Sequence, residues 1–154
     1  MHIKEWFIEQ HKTLSVAESC TGGRIAAAIT SEPGSSQYFL GAVISYTDLL
    51  KERLLGVLPT TLQQHGAVSR SCAEEMARGA LKLMGSDYAL SITGIAGPSG
   101  GSAEKPVGTV WVAVCTKEGR VETELFTLTG TRTQIQELAT QLALEKLRRF
   151  IHAV

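Results

Sequence analysis

The stretch Ala17-Glu18-Ser19-Cys20-Thr21-Gly22-Gly23 constrains this chain more than any other. Before it stands Thr13-Leu14-Ser15-Val16, short, β-branched and apolar, which predicts a buried strand. After it stands Arg24-Ile25-Ala26-Ala27-Ala28-Ile29, alanine-rich and free of breakers, which predicts a helix. A serine therefore sits at a strand-to-helix turn, followed by two glycines. The first amides of a helix have no partner within it and carry the positive end of its dipole. Glycines let a substrate approach such a backbone closely. A turn of this kind can expose a nucleophilic hydroxyl and stabilise the oxyanion that its attack creates. The same serine has a plainer reading as a helix cap, a role Ser often fills. Both readings stand at this point, because a heptapeptide predicts chemistry only loosely.

The 154 residues are expected to form one domain, 1–154, long enough to bury a core. A hydrophobic content of 44% with 19% charged residues is ordinary for a soluble globular protein. Lys+Arg and Asp+Glu balance at 15 each, so no global field draws nucleic acid or an anionic membrane, and neither is expected as a partner. The apolar runs are too short to span a bilayer, and Met1-His2-Ile3-Lys4-Glu5 lacks a signal-peptide apolar core. Cys20, Cys72 and Cys115 are odd in number and widely spaced, which fits neither a disulfide framework nor a CxxC metal site. A cytoplasmic location is the expectation.

Along the chain, Met1 to about Gln10 reads as an amphipathic helix with Ile3, Trp6 and Phe7 on one face. Ser31 to Ser36 is a loop by its Pro and Gly, Tyr38 to Tyr46 a second strand, and Thr47 to Leu55 a helix. Pro59 suits the start of a short helix that ends before Gly66, with His65 at its end. Ser71 to Met84 has Ala73, Met76, Ala77, Ala80, Leu81 and Met84 at helical spacing, and Ser71 with Glu74 has capping-box spacing. Asp87 to Thr93 is a third strand; Thr109 to Thr116 and Val121 to Leu128 form a hairpin. Thr131 to Ile151 is a helix with Ile135, Leu138, Ala139, Leu142, Ala143, Leu147, Phe150 and Ile151 toward the core. This order predicts an α/β domain: a three-layer α/β/α sandwich with a mixed, mostly parallel sheet, the hairpin supplying its antiparallel part.

The scattered histidines His2, His11, His65 and His152 offer no metal-ligand spacing, so no metal and no cofactor is expected. No GxxxxGK[ST] run is present, and no pattern places a His near a serine, which weakens a Ser-His-Asp arrangement. Lysine remains as the base, since Ser-Lys pairs are an attested variant and burial can pull a lysine towards neutrality. Lys51 follows the second strand, and Tyr46 closes that strand, where a phenol can relay a proton between Ser19 and Lys51. A solvated lysine and a core-edge tyrosine are the plainer readings of the two. The stretch Gly94 to Gly108 carries five glycines, Gly94, Gly97, Gly100, Gly101 and Gly108, and has the physics of an anion cradle. Lys105 within it and Arg132 after Gly130 are candidate phosphate contacts, or ordinary surface cations. Cys20 is a candidate nucleophile if its thiol is acidified, or a buried inert thiol.

Taken in register, these motifs resemble one family. They are AESCTGG at Ala17 to Gly23, Gly34-Ser35-Ser36 with Phe39, Tyr46 with Lys51 and Leu55-Gly56-Val57, and Gly66-Ala67-Val68-Ser69. They continue with Thr93 to Pro98, Gly100-Gly101-Ser102 and Lys105-Pro106-Val107-Gly108-Thr109-Val110. From about Leu14 to Phe150 the chain resembles the CinA C-terminal domain family, whose stand-alone members are nicotinamide-nucleotide amidases. The resemblance implies metal-independent hydrolysis of the carboxamide of nicotinamide mononucleotide, a small-molecule nucleotide substrate. It implies Ser19 as nucleophile and Tyr46 and Lys51 as its catalytic partners; backbone amides near Cys20, Thr21 and Gly22 are then expected around the oxyanion, with Gly23 also among the substrate-binding residues. The chain departs from the family's Gly-Asp-Arg motif: Gly130 and Arg132 are present, Thr131 replaces the acid, and Gln136 replaces a second arginine. These departures bear on the phosphate and ribose contacts. The same residues also suit a silent nucleotide-binding homologue or a serine amidase for another small amide. The pyrophosphatase domain of longer members is not in this sequence, and that activity is not expected. A homo-oligomer is the expected state, as for many compact metabolic enzymes.

Overall fold

Alternation of apolar runs with helical stretches produces one sheet between two helical layers. The computed structural model describes residues 2–153. Its strands are β1 (Leu14–Glu18), β2 (Phe39–Ile44), β3 (Tyr88–Gly94), β4 (Thr109–Thr116) and β5 (Val121–Thr127). Its helices are α1 (Ile3–Glu9), α2 (Arg24–Thr30), α3 (Asp48–Leu55), α4 (Pro59–His65), α5 (Arg70–Met84) and α6 (Arg132–His152). The strand order is β2-β1-β3-β4-β5. β1 is parallel to both β2 and β3, with Glu18 opposite Ile44 on one side and Ile92 on the other. β4 runs antiparallel to β3 and to β5. Four strands therefore point one way and β4 alone opposes them, a mixed and mostly parallel sheet as the sequence predicts.

Side chains alternate across a strand, and here the two sets differ in size. One face presents Leu14, Val16, Leu90, Ile92, Val110, Val112 and Val114 to Phe7 of α1, Ile25 and Ile29 of α2, and Leu147 and Phe150 of α6. The other presents Ala17, Ala89, Ala113 and Cys115 to Cys72, Ala73, Met76, Ala77 and Ala80 of α5, with Leu55 of α3 alongside. All five residues of β1 are buried, as expected for a strand with neighbours on both edges and helices on both faces.

Several boundaries differ from the sequence reading. β2 stops at Ile44, although Ser45 still donates its amide to the Glu18 carbonyl (2.8 Å), and Thr47 then caps α3, accepting from the Leu50 amide (3.3 Å). α5 begins at Arg70, capped by Ser69, whose hydroxyl accepts from the Cys72 amide (3.2 Å). The Ser71–Glu74 capping box does not form. Glu74 instead pairs with Arg70 and Arg78 and accepts from the Thr123 hydroxyl (2.7 Å). On α6, Leu138 is exposed rather than in the core. The buried arc of that helix runs through Ile135, Gln136, Ala139, Thr140 and Ala143, and Leu138 lies outside it.

Ser19 follows β1, Tyr46 and Lys51 follow β2, Gly94 ends β3, and Arg132 follows β5. All lie at the carboxyl ends of co-directional strands, where open α/β sheets bind their ligands.

Candidate active site

The serine turn is organised by a buried acid. Glu18, the last residue of β1, is fully buried. Its carboxylate accepts from the Thr21 hydroxyl (2.5 Å) and from the amides of Gly23 (3.1 Å), Ile25 (3.0 Å) and Ala26 (2.9 Å). A carboxylate at a helix N-terminus satisfies both the orphan amides and the dipole. The amides at the start of α2 are thus engaged by Glu18 rather than free, contrary to the expectation from sequence. Gly22 donates its amide to the Ser19 carbonyl (3.1 Å), which closes the turn. Gly23 is the N-cap of α2 at φ +104°, a conformation that side chains rarely adopt. It is the neighbouring Ile44 Cδ1, 3.1 Å from where a Cβ would stand, that crowds this glycine. Since Gly23 caps α2, Ser19 is not the helix cap, and its hydroxyl is left for another partner.

That partner is Lys51. α3 carries it from the end of β2 inward until the residue is 1% exposed. Its Nζ donates to Ser19 Oγ at 2.9 Å and to the Ser45 carbonyl at 2.7 Å. Burial holds the ammonium below lysine's ordinary pKa; nearby Cys72, Asp48 and Cys20 oppose that shift in part. A buried lysine without a carboxylate in contact is poised to be neutral, the form a general base requires. Cys20, beside Ser19, is in the opposite condition. Burial, with Glu18 adding to it, pushes its thiol up to about 12, so thiolate is scarce at neutral pH. Its carbonyl accepts from Gln136 Nε2 (3.0 Å), tying α6 to the serine turn.

The rim is built differently. The side chain of Tyr46 is exposed, and its phenol oxygen accepts from Arg132 Nη2 (2.6 Å). Arg132 Nη1 donates to the Gly97 carbonyl (2.8 Å). Tyr46 thus meets Arg132, and its hydroxyl makes no hydrogen bond to Ser19 or Lys51, so the phenol relay is not assembled in this structure. Ser19, Cys20, Lys51, Asp48, Tyr46 and Arg132 line one cleft of about 260 Å³, with Ala67, Val68, Thr93, residues 94–97, Ser99 and Gly100 as its remaining walls.

Of the residues singled out from sequence, this cleft gathers Ser19, Cys20, Tyr46, Lys51, Gly94, Gly97, Gly100 and Arg132. It does not gather Thr21, Gly22 and Gly23, which lie in the Glu18 turn, or Gly101 and Lys105. Gly101 packs against Val107, whose amide nitrogen is 2.7 Å from where a Cβ would stand. Lys105 donates to the His65 carbonyl at the end of α4, where a cation complements the helix dipole. Loop amides bond within the loop and its strand: Gly108 to the Ile95 carbonyl (2.7 Å), Ser102 to that of Lys105 (2.8 Å). Thr131 is the N-cap of α6, in a capping box with Gln134. Sequence reasoning passed over Glu18, Ser45 and Asp48. An acid before a Gly-Gly turn is a readable signal for Glu18, and Asp48 stands three residues before Lys51, hence on its helix face. Ser45 contributes a backbone carbonyl, which no side-chain pattern marks. Among the described residues, no three His, Cys, Asp or Glu side chains converge as a metal ion requires, and no helix is long and apolar enough to cross a membrane.

The CinA C-terminal domain family matches residues 1–151. The chain belongs to that family. It is 51% identical over 142 residues to a CinA-like protein of Endomicrobium trichonymphae, a match that covers 92% of this chain and 33% of the relative. It is 46% identical over 143 residues to a CinA-like protein of Thermotoga maritima, covering 93% of this chain and 35% of the relative. The chain thus spans about a third of the length of the curated relatives it matches. Among solved structures, it superposes on the competence/damage inducible protein CihA of Agrobacterium tumefaciens with a TM-score of 0.92 at 43% identity, covering 94% of this chain and 88% of that one. A CinA superfamily protein of Klebsiella pneumoniae gives 0.93 at 35% identity, covering 97% and 93%. The three-layer architecture is therefore the architecture of the CinA superfamily.

Proposed function

We propose that this CinA-family domain hydrolyses the carboxamide of nicotinamide mononucleotide to nicotinate mononucleotide and ammonia, with Ser19 as nucleophile and Lys51 as base. One observation carries the reading: the amine of a fully buried lysine stands 2.9 Å from a serine hydroxyl within a cleft. Neutral Lys51, held by the Ser45 carbonyl, takes the Ser19 proton as Oγ attacks the amide carbon. Cys20 lines the cleft, and its amide is the serine-turn donor assigned to the oxyanion, those of Gly22, Gly23, Ile25 and Ala26 being engaged. Lys51 then returns the proton to the leaving nitrogen, the C–N bond breaks, and ammonia departs. Water, deprotonated by Lys51, attacks the acyl-enzyme and restores Ser19. Arg132 and Tyr46 at the rim meet the ribose-phosphate end of the substrate.

The test is ammonia release from nicotinamide mononucleotide by the wild-type protein and by Ser19→Ala. The expected result is release by wild type and a loss on the order of 10⁴-fold in the variant. A folded wild type that releases no ammonia overturns the amidase. A variant that keeps most of the activity overturns Ser19 as nucleophile.

A further inference from the structure

The backbone of the serine turn is held mostly from within. The Ser19 carbonyl accepts from the Gly22 amide (3.1 Å), and the Thr21 carbonyl from the Arg24 amide (3.1 Å) and Arg24 Nη1 (3.0 Å). The Thr21 hydroxyl and the Gly23 amide both donate to Glu18. The bond from Lys51 reaches the Ser19 side chain and leaves the backbone alone. Among the described residues, one hydrogen bond ties the backbone of residues 19–23 to a distant part of the fold. It runs from Gln136 Nε2 to the Cys20 carbonyl, 3.0 Å, across 116 positions of sequence. Gln136 is itself buried, one turn into α6, on the same arc as the core residues Ile135 and Ala139. A buried amide has a partner as a rule, and here the partner is the residue next to the nucleophile.

What this bond fixes follows from the planar trans peptide, whose N–H and C=O point opposite ways. With the Ser19 carbonyl turned in toward Gly22, the Cys20 amide of the same peptide faces out of the turn. The next peptide carries the Cys20 carbonyl, and Gln136 holds that one. Both peptides that flank Cys20 are therefore tethered, and with them its two soft dihedrals. The turn's own sequence does not enforce this. Gly22 (φ +58°) and Gly23 (φ +104°) follow directly, and glycine has the widest choice of backbone angles.

We infer that Gln136 is the positioning residue of the serine turn. Its amide sets the peptide after Cys20, and so the direction of the Cys20 amide and of the Ser19 hydroxyl relative to a bound carboxamide. Gln136 does not line the cleft, so it acts through Cys20 and not on the substrate. This rests on the amidase reading and adds to it a residue that the mechanism leaves out. A misdirected donor fails where charge develops in the transition state, so its loss falls on kcat more than on KM.

The measurement is steady-state ammonia release from nicotinamide mononucleotide, with kcat and KM separated, on the full chain and three variants. Gln136→Met keeps the length of the side chain and Gln136→Leu its apolar bulk; neither has a donor. Gln136→His puts an N–H back at a similar reach. In the first two, kcat is expected to fall roughly 10- to 100-fold with KM within about twofold, as for a misplacement near 1 Å. Gln136→His is expected to recover most of that loss. Full kcat in Gln136→Met and Gln136→Leu overturns the inference and leaves the amidase standing. A rise in KM at constant kcat, or an equal loss in Gln136→His, also overturns it, because the residue then serves binding or packing. If neither donor-free variant folds by circular dichroism, the bond is a structural tie and the positioning role falls. A folded wild type that releases no ammonia overturns the amidase, and this inference with it.

Discussion

The two faces of the sheet are packed to different ends. The face under α1, α2 and α6 is thick: Phe7, Leu14, Ile25, Leu90, Ile92, Leu147 and Phe150 are all fully buried there. Trp6, Phe7, Tyr38, Tyr88 and Phe150 meet ring to ring, with centroids 5.1–6.1 Å apart. Each such side chain contributes roughly 1.5–3 kcal/mol by burial. The face under α5 is thin, built on Ala17, Ala89 and Ala113 against Ala73, Ala77 and Ala80. Small side chains let α5 lie close to the sheet, and Gly79 lets α3 lie close to α5. A Cβ at Gly79 would stand 2.7 Å from Leu55 Cα and closer still to the Leu55 carbonyl. Leu55 is one helical turn past Lys51, so this contact brings the lysine down to Ser19. The thick face holds the domain together, and the thin face sets the distance between Ser19 and Lys51.

Substitutions on either face probe that division. Lys51→Met, on the thin side, is expected to have the largest effect, a loss on the order of 10⁴-fold in kcat with a folded protein by circular dichroism. Because the base proposed here acts deprotonated, wild-type kcat/KM is expected to rise with pH through a Lys51 pKa that burial holds below lysine's ordinary value, and to fall away below it. The variant is expected to lose that limb; a pH profile unchanged by the substitution removes Lys51 as base. Next comes Phe150→Ala on the thick side. It is expected to cost about 3–5 kcal/mol in urea denaturation, while kcat in the folded protein stays within about twofold. A matching collapse of kcat breaks the proposed separation of the faces. Smallest in stability is Gly79→Ala, with about 1–3 kcal/mol from overpacking. Its effect on kcat is expected to be disproportionate, up to roughly 100-fold, because α3 must move away from Ser19. A variant of Gly79 that loses stability but keeps full kcat shows that the α3–α5 contact does not set the dyad.

Much of the architecture was legible from local pattern. The strand-turn-helix at Leu14 to Thr30, the helix from Pro59 and the hairpin around Lys117 to Arg120 follow from apolar period and breakers. Where local signals compete, reading them fails. Ser69 and Ser71 are both residues that suit a cap, and the structure places Ser69 at the N-cap of α5 with Ser71 inside the helix. Leu138 suits a core stripe, yet the tether from Gln136 to the Cys20 carbonyl turns that position inward and Leu138 out.

The site is legible only in pieces. Ser19 and Lys51 are 32 residues apart, Tyr46 and Arg132 86, Cys20 and Gln136 116. The residue types alone suggest Ser19, Tyr46 and Lys51 as a set, and the family's motifs, taken in register, support the same grouping. By itself, the sequence determined the order of elements, the layered sheet and the residue types available for chemistry, because propensity and period act over a few neighbouring residues. The tertiary structure alone decided that Glu18 occupies the helix amides, that Tyr46 meets Arg132 and not Ser19 or Lys51, and that Lys51 is buried against Ser19. Those outcomes depend on which chain segments pack within a few ångströms of one another, and on how much water that packing removes.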